Sequence, residues 1–241
     1  LAEQGKNDDV RIAALRALES LGDEETVPLL IKIAVESKGA VANAAKTTLK
    51  EIPVPEVDTE LLRLVNEGAT PEEQVIAIES VAARKSADSM DELLQATGSD
   101  DDKVAIAAFK AASEVLTYKD LKPLLEAHGK VEGDRVLREG SRTVITAARE
   151  FKKPEDAVTR VVTAYEAAPN DDVKTSLLGV LGELGTSKAL EILSANASSD
   201  NEKVRDGAIR ALAQFPDASA LDDLMKIATD SESEVHRVLA V

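Results

Sequence analysis

The sequence predicts an all-α chain, a solenoid of about seven helical hairpins repeated along its length, and three observations carry that prediction. Apolar residues fill 44% of the 241 positions while aromatics reach only 2%, so a core has to be built from Ala, Leu, Ile and Val side chains on closely packed helices. The segments VRIAALRALESL from Val10, VKTSLLGVLGEL from Val173 and VRDGAIRALAQF from Val204 superpose without gaps. Within them, apolar residues recur at the 3.6-residue spacing of one helical stripe.

The same frame fits helices starting near residues 10, 41, 74, 104, 140, 173, 204 and 235, at separations of 30 to 36 residues. Four residues after each start stand Ala14, Ala45, Ile78, Ala108, Val144, Leu177, Ala208 and Leu239. Eight after it stand Leu18, Leu49, Ala82, Ala112, Ala148, Leu181 and Leu212. All are apolar, as the buried side of a helix requires. The third position is mostly small, as at Ala13, Ala44, Ala77, Ala107, Ser176 and Gly207, which lets a neighbouring helix approach closely. Between these helices, the second of each pair, lie amphipathic first helices, for example over 26–37, 57–68, 89–98 and 220–230. Asn7, Thr70, Ser99, Asn170, Asp200 and Ser231 precede acidic residues and read as helix starts, where unpaired amides and the positive dipole end favour carboxylates. Prolines 28, 71, 123 and 154 fall near helix starts, where a missing amide donor costs little. One hairpin cannot bury both of its faces, whereas a stack gives a continuous core in which each unit touches its neighbours.

The run D-x-x-V-R-x-A-A-x-x-A-L-x-x-L, best matched at Asp8 to Leu21 and Asn201 to Phe215, resembles the HEAT repeat. The short period, near 31, is similar to the bacterial repeats of the phycobilisome-lyase type. The resemblance covers residues 1–241 as one stack and implies a right-handed α–α superhelix that serves as a scaffold and protein-binding surface. It departs from the pattern where Gln74 and Gly140 replace the starting Val, and the following Arg survives only at Arg11 and Arg205, with Lys174 close. The chain begins on what reads as the tail of a first helix and ends inside an eighth second helix, which predicts a fragment of a longer chain. Large bacterial proteins that join such repeats to propeller or cytochrome domains offer a parent of similar type.

Charge and composition narrow the function. With 29 Lys and Arg against 45 Asp and Glu, the net charge of −16 repels phosphate backbones and anionic lipid, so neither nucleic acid nor a membrane surface is an expected partner. A basic segment of a partner protein suits such a chain, although solubility accounts for the charge as well. The absence of cysteine excludes disulfides, thiolate metal sites and a cysteine nucleophile in this segment. No uncharged apolar run approaches the roughly 18 residues of a membrane span. His128 and His236 belong to no HExxH and neither is followed by Glu, so the paired His-Glu iron motifs of HEAT-like hydroxylases are missing and no triad can be composed. The clusters Asp8-Asp9, Asp100-Asp101-Asp102, Asp171-Asp172 and Asp222-Asp223 lack the alternation of a calcium loop and recur at one phase of the repeat, where helix capping explains them. No catalytic, cofactor or metal residue is therefore assigned, and no enzymatic activity is expected.

One stretch is basic. Between residues 122 and 153, Lys122, Lys130, Arg135, Arg138, Arg142, Arg149, Lys152 and Lys153 face Glu126, Glu132, Asp134, Glu139 and Glu150. If the helix begins near Asp134, then Arg135, Arg138, Arg142 and Arg149 share one face and form a ridge able to take carboxylates or phosphates bidentately. Local neutralisation by Glu132, Asp134, Glu139 and Glu150 is the competing account. With the outward positions Asn43 and Lys50, these arginines are the expected partner-binding residues of a non-catalytic scaffold that holds a protein along its inner helical face. The alternatives are a bilin lyase or isomerase subunit, which the phycobilisome-lyase likeness implies and which needs a chromophore-sized pocket, or an internal spacer between flanking domains.

Overall fold

The computed structural model describes residues 2–3, 7–86 and 89–241, and among them it holds helices, turns and loops but no strand. The tail of a first helix expected before Asn7 lies largely outside the described residues. The chain divides into two compact units, Leu1–Val115 and Leu116–Val241. No helix among the described residues is long and apolar enough to cross a membrane.

Unit 1 contains α1 (Asp8–Leu21), α2 (Val27–Glu36), α3 (Gly39–Glu51), α4 (Glu56–Glu67), α5 (Pro71–Arg84), α6 (Met90–Ala96) and α7 (Asp102–Val115). The pairs α2/α3, α4/α5 and α6/α7 are hairpins, and the second helices α1, α3, α5 and α7 pack in sequence. Unit 2 contains α8 (Leu121–His128), α9 (Asp134–Arg149), α10 (Pro154–Glu166), α11 (Asp171–Leu184), α12 (Ser187–Asn196), α13 (Glu202–Ala213), α14 (Leu221–Asp230) and α15 (Glu234–Leu239). Here α8/α9, α10/α11, α12/α13 and α14/α15 pair, and α9, α11, α13 and α15 stack. Each unit is thus a HEAT-like stack of helical hairpins with an aliphatic core.

The capping groups show how the polar leads start the helices. Asn7, Thr70 and Asn170 accept from amides of the first turn, and Thr70 forms a reciprocal capping box with Glu73. At α13 and α15 the caps are Asn201 and Ser233 rather than the expected Asp200 and Ser231. For α7, Asp101 accepts from the Lys103 amide and Ser99 from that of Asp101. Close approach is clearest between α11 and α13, where a Cβ on Gly207 would lie 2.6 Å from Thr175 Cγ2.

Burial refines the repeat frame by one residue in two helices. In α11 the buried residues include Val173, Leu177, Leu178, Val180 and Leu181, and in α5 they are Ala77, Ile78, Ser80 and Val81 at the matching positions. Val173 therefore corresponds to Glu73, held in place by the capping box, and Gln74 takes the position next to it. Gln74 Nε2 donates to the Asn66 carbonyl at 3.2 Å, as Arg205 donates to the Ser199 carbonyl at 2.7 Å. In α15 the buried residue is His236, 7% exposed, while Val235 is 56% exposed. Arg237 then matches Arg205 and donates to the Ser231 carbonyl at 2.7 Å. At Gly140 the frame stands, because Gly140, Val144 and Ala148 are all buried; α9 simply starts earlier.

Arg84 closes unit 1 from inside. Its side chain is 8% exposed and its guanidinium donates to the carbonyls of Leu49 at 3.1 Å and Ile52 at 2.6 Å, which α3 leaves unpaired at its end. The same group meets Asp58 of α4 at 2.6 Å and 3.2 Å, and Ser86 Oγ also donates to Asp58. Burial pushes the Asp58 carboxyl up, but the hydrogen bonds from Arg84 and Ser86 and the adjacent guanidinium charge outweigh it and hold the pKa below the ordinary carboxylate range. Replacing Arg84 by Met leaves carbonyls and a carboxylate without their donor, and a loss of about 3 kcal/mol from unit 1 is expected in urea melts. Adding Asp58→Asn should recover part of it; a double variant no more stable than Arg84→Met would show that Asp58 is indifferent to the clamp.

Lys85 and Gly185 occupy the same repeat position, one residue past α5 and α11, and both are left-handed, at φ 51° and φ 62°. A side chain is strained in that region, and glycine is not. Lys85→Gly is expected to stabilise unit 1 by about 0.5–1 kcal/mol. Gly185→Ala should destabilise unit 2 by about 2 kcal/mol, because it adds left-handed strain and a Cβ that overlaps the Pro216 ring. Thermal melts with opposite shifts for the two variants are the check.

Candidate partner-binding surface

The basic row is formed by α9, which begins at Asp134 and runs to Arg149. Its apolar side, with Val136, Leu137, Val144, Ala147 and Ala148, is buried against α8 and α11. Arg135, Arg138, Arg142 and Arg149 all lie on the exposed side at helical spacing. The structure thus brings these four sequence-derived residues together as one stripe.

The carboxylates around the row engage only part of it. Glu139 meets Arg142 at 3.2 Å one turn away, and Glu183 of α11 meets Arg149 at 3.3 Å. Among the described residues, Arg135 and Arg138 have no ion pair, and Glu132, Asp134 and Glu150 pair with none of the four. Counting α9 back from the Gly140–Val173 match, Asp134 to Leu137 lie beyond the first residue of α11.

Asn43 and Lys50 are both exposed on α3, in unit 1, separately from the arginine row. Elsewhere on the second helices, charges are spent between neighbours. Lys46 of α3 meets Glu79 of α5 at 3.0 Å, Glu72 of α5 meets Lys103 of α7 at 3.0 Å, and Asp172 of α11 pairs with Lys203 of α13. Each such exposed pair is worth little for stability; two of them engage a carboxylate in the first turn of a helix, Glu72 and Asp172. Among the described residues, no group of three or more His, Asp or Glu is placed to hold a metal ion.

Two cationic features escaped the sequence reading. Arg84, described above, gave no signal beyond an Arg at a helix end. Arg160 of α10 lies just past the basic stretch and stacks its guanidinium 5.6 Å from the centre of the Phe151 ring, which meets Tyr118 edge-on at 5.7 Å. An Arg nine residues after a Phe that precedes a helix-starting Pro was the only hint.

Both histidines are engaged. His236 Nε2 lies 3.3 Å from Asp206 Oδ1. His128 is fully buried at the end of α8, with Nε2 2.8 Å from Ser176 Oγ of α11. Ser176 already donates its proton to the Val173 carbonyl at 2.8 Å, so His128 must be the donor, carrying its hydrogen on Nε2. Its Nδ1 is buried without a partner. Burial lowers the imidazole pKa from the ordinary 6.5 to about 4. The unfolded chain therefore takes up this proton first as the pH falls: the stability contribution is complete above about pH 6.5 and is lost progressively toward about pH 4. Unit 2 should lose about 2 kcal/mol between about pH 7.5 and pH 5 from this group alone. Urea melts of His128→Gln should show a shallower pH dependence than the parent over that range; equal slopes would remove His128 as the cause.

Comparison with known proteins bears on the architecture. No curated protein matches the chain. Among solved structures, human deoxyhypusine hydroxylase in complex with glycerol aligns at 14% identity and a TM-score of 0.41, over 90% of this chain and 94% of that one. An engineered protein aligns at 19% identity and a TM-score of 0.41, over 95% of this chain and 93% of that one. A second engineered protein aligns at 16% and a TM-score of 0.33, over 98% and 84%. A family model of HEAT repeats matches residues 1–73 and 158–241, and the stretch between, 74–157, includes the whole of α9. With most of its length matched and its helices paired and stacked in register, the chain belongs to the HEAT-repeat family.

Proposed function

We propose that this chain is a non-catalytic scaffold that binds a protein partner through the exposed side of its second helices, with the α9 arginines as the anchor. The observation that carries the reading is that Arg135 and Arg138 stand exposed without a carboxylate, in line with Arg142 and Arg149. A guanidinium row of this kind matches carboxylates or phosphates spaced along a partner segment, each held bidentately. The overall acidity points to a basic partner, but along α9 the exposed groups in line are guanidiniums, two of which, Arg135 and Arg138, have no ion pair. An acidic segment is therefore the partner favoured at α9. The commitment of His128 to Ser176 and of His236 to Asp206 supports a binding role over a catalytic one.

Arg138→Glu together with Arg142→Glu reverses the middle of the row without touching the buried side of α9. Pull-down of native partners with the parent and this variant is the test. Loss of the principal retained protein, at an unchanged melting temperature, is expected; unchanged retention would remove the row from the binding surface.

A further inference from the structure

Unit 2 carries a second feature on a different set of helices. Between α8 and α10 runs an open trough of about 590 Å³, within the range of ligand-binding clefts. Its walls are Leu125 of α8 and Ala164, Ala167 and Ala168 at the end of α10, and its floor is Val173 and Leu177 of α11. The side chains that α10 and the turn after it present there are small, which leaves the space between the two helices unfilled. The His128–Ser176 hydrogen bond ties α8 to α11, so wall and floor are held together without a ligand.

The rim is cationic in a chain whose net charge is −16. Lys122, Lys130 and Arg160 border the trough, with Glu126 as the carboxylate among its lining residues. Lys122 and Glu126 approach only to 3.8 Å, both exposed, which leaves the lysine open to a better acceptor. Phe151 holds the Arg160 guanidinium in place. Lys122 and Lys130 stand at opposite ends of α8, about 12 Å apart along its axis at 1.5 Å per residue. That separation is spanned by about four residues of extended chain.

We infer that this trough docks a peptide segment of a partner protein in which apolar side chains are flanked on both sides by carboxylates. The apolar residues lie against Ala164, Ala167 and Ala168, above the buried Val173 and Leu177, and the carboxylates meet Lys130 at one end and Lys122 with Arg160 at the other. An open trough with cations at both ends suits a peptide crossing it better than a small acid, which would need enclosure and one charge site. The site shares no residue with the α9 row, so either can fail without the other.

Selection of a displayed library of random short peptides on the whole chain tests this. The parent should enrich sequences with an apolar centre between acidic residues. The enriched peptides, made with a fluorescent label, should bind about tenfold more weakly to Arg160→Glu, to Lys130→Glu and to Ala167→Trp, which fills the trough. Arg138→Glu with Arg142→Glu should leave their affinity within about twofold. Lys130→Glu disturbs no packing contact and guards against a loss caused by misfolding. No enrichment, enrichment of basic peptides, or affinity that falls with the α9 variant and not with the three trough variants would overturn the proposal.

Discussion

Every hairpin in this chain has two apolar sides and can cover only one of them by folding on itself. The other has to be covered by the next hairpin, and that requirement dictates the rest. It explains why the second helices carry small residues where they meet, as at Gly207 against Thr175, and why the core is aliphatic: aromatic rings would hold helices apart. It also explains why the polar groups at helix ends are satisfied across repeats. Arg84 of α5 reaches the last carbonyls of α3 and the carboxylate of α4, so one side chain fixes three helices in position. The stack is cemented by what each repeat lends its neighbour.

The periodic part of the fold was legible because the stripe repeats. Leu177 and Leu181, with their counterparts Ala208 and Leu212, mark the buried side of α11 and α13 with no knowledge of the structure. The slips at Gln74 and Val235 show where the reading was too coarse. Superposition followed the apolar residues four and eight positions on, yet in α5 a capping-box glutamate takes the starting place and in α15 a histidine does. Capping geometry decides a helix's phase as firmly as hydrophobicity, and the two signals are offset by one residue in those repeats. The arginine row was legible through spacing alone. Arg84 and the trough were not, because the first depends on carbonyls more than 30 residues away and the second on how the small residues of one helix are set beside another.

Electrostatics follows the same division between repeat and exception. Along most second helices, a charge on one repeat meets an opposite charge on the next, from Lys46 and Glu79 to Asp172 and Lys203. Such pairs add little stability at an exposed surface. The pairs cancel charge locally, one for one, and leave the acidic excess of the chain, −16, as it was.

The two binding features proposed above both fall at the α8/α9 hairpin. Counted from the Gly140–Val173 match, α9 starts four residues before α11 does, and Arg135 stands on that extra turn. In the same hairpin α8 borders the trough above the buried Val173 and Leu177, beside Lys122, Lys130 and Arg160. Both proposed features thus lie in the hairpin that breaks the period rather than in the regular units on either side of it. The widest spacing in the sequence, between Val104 and Gly140, marks that unit. Restoring the common period there would be expected to preserve the fold and remove both binding features together.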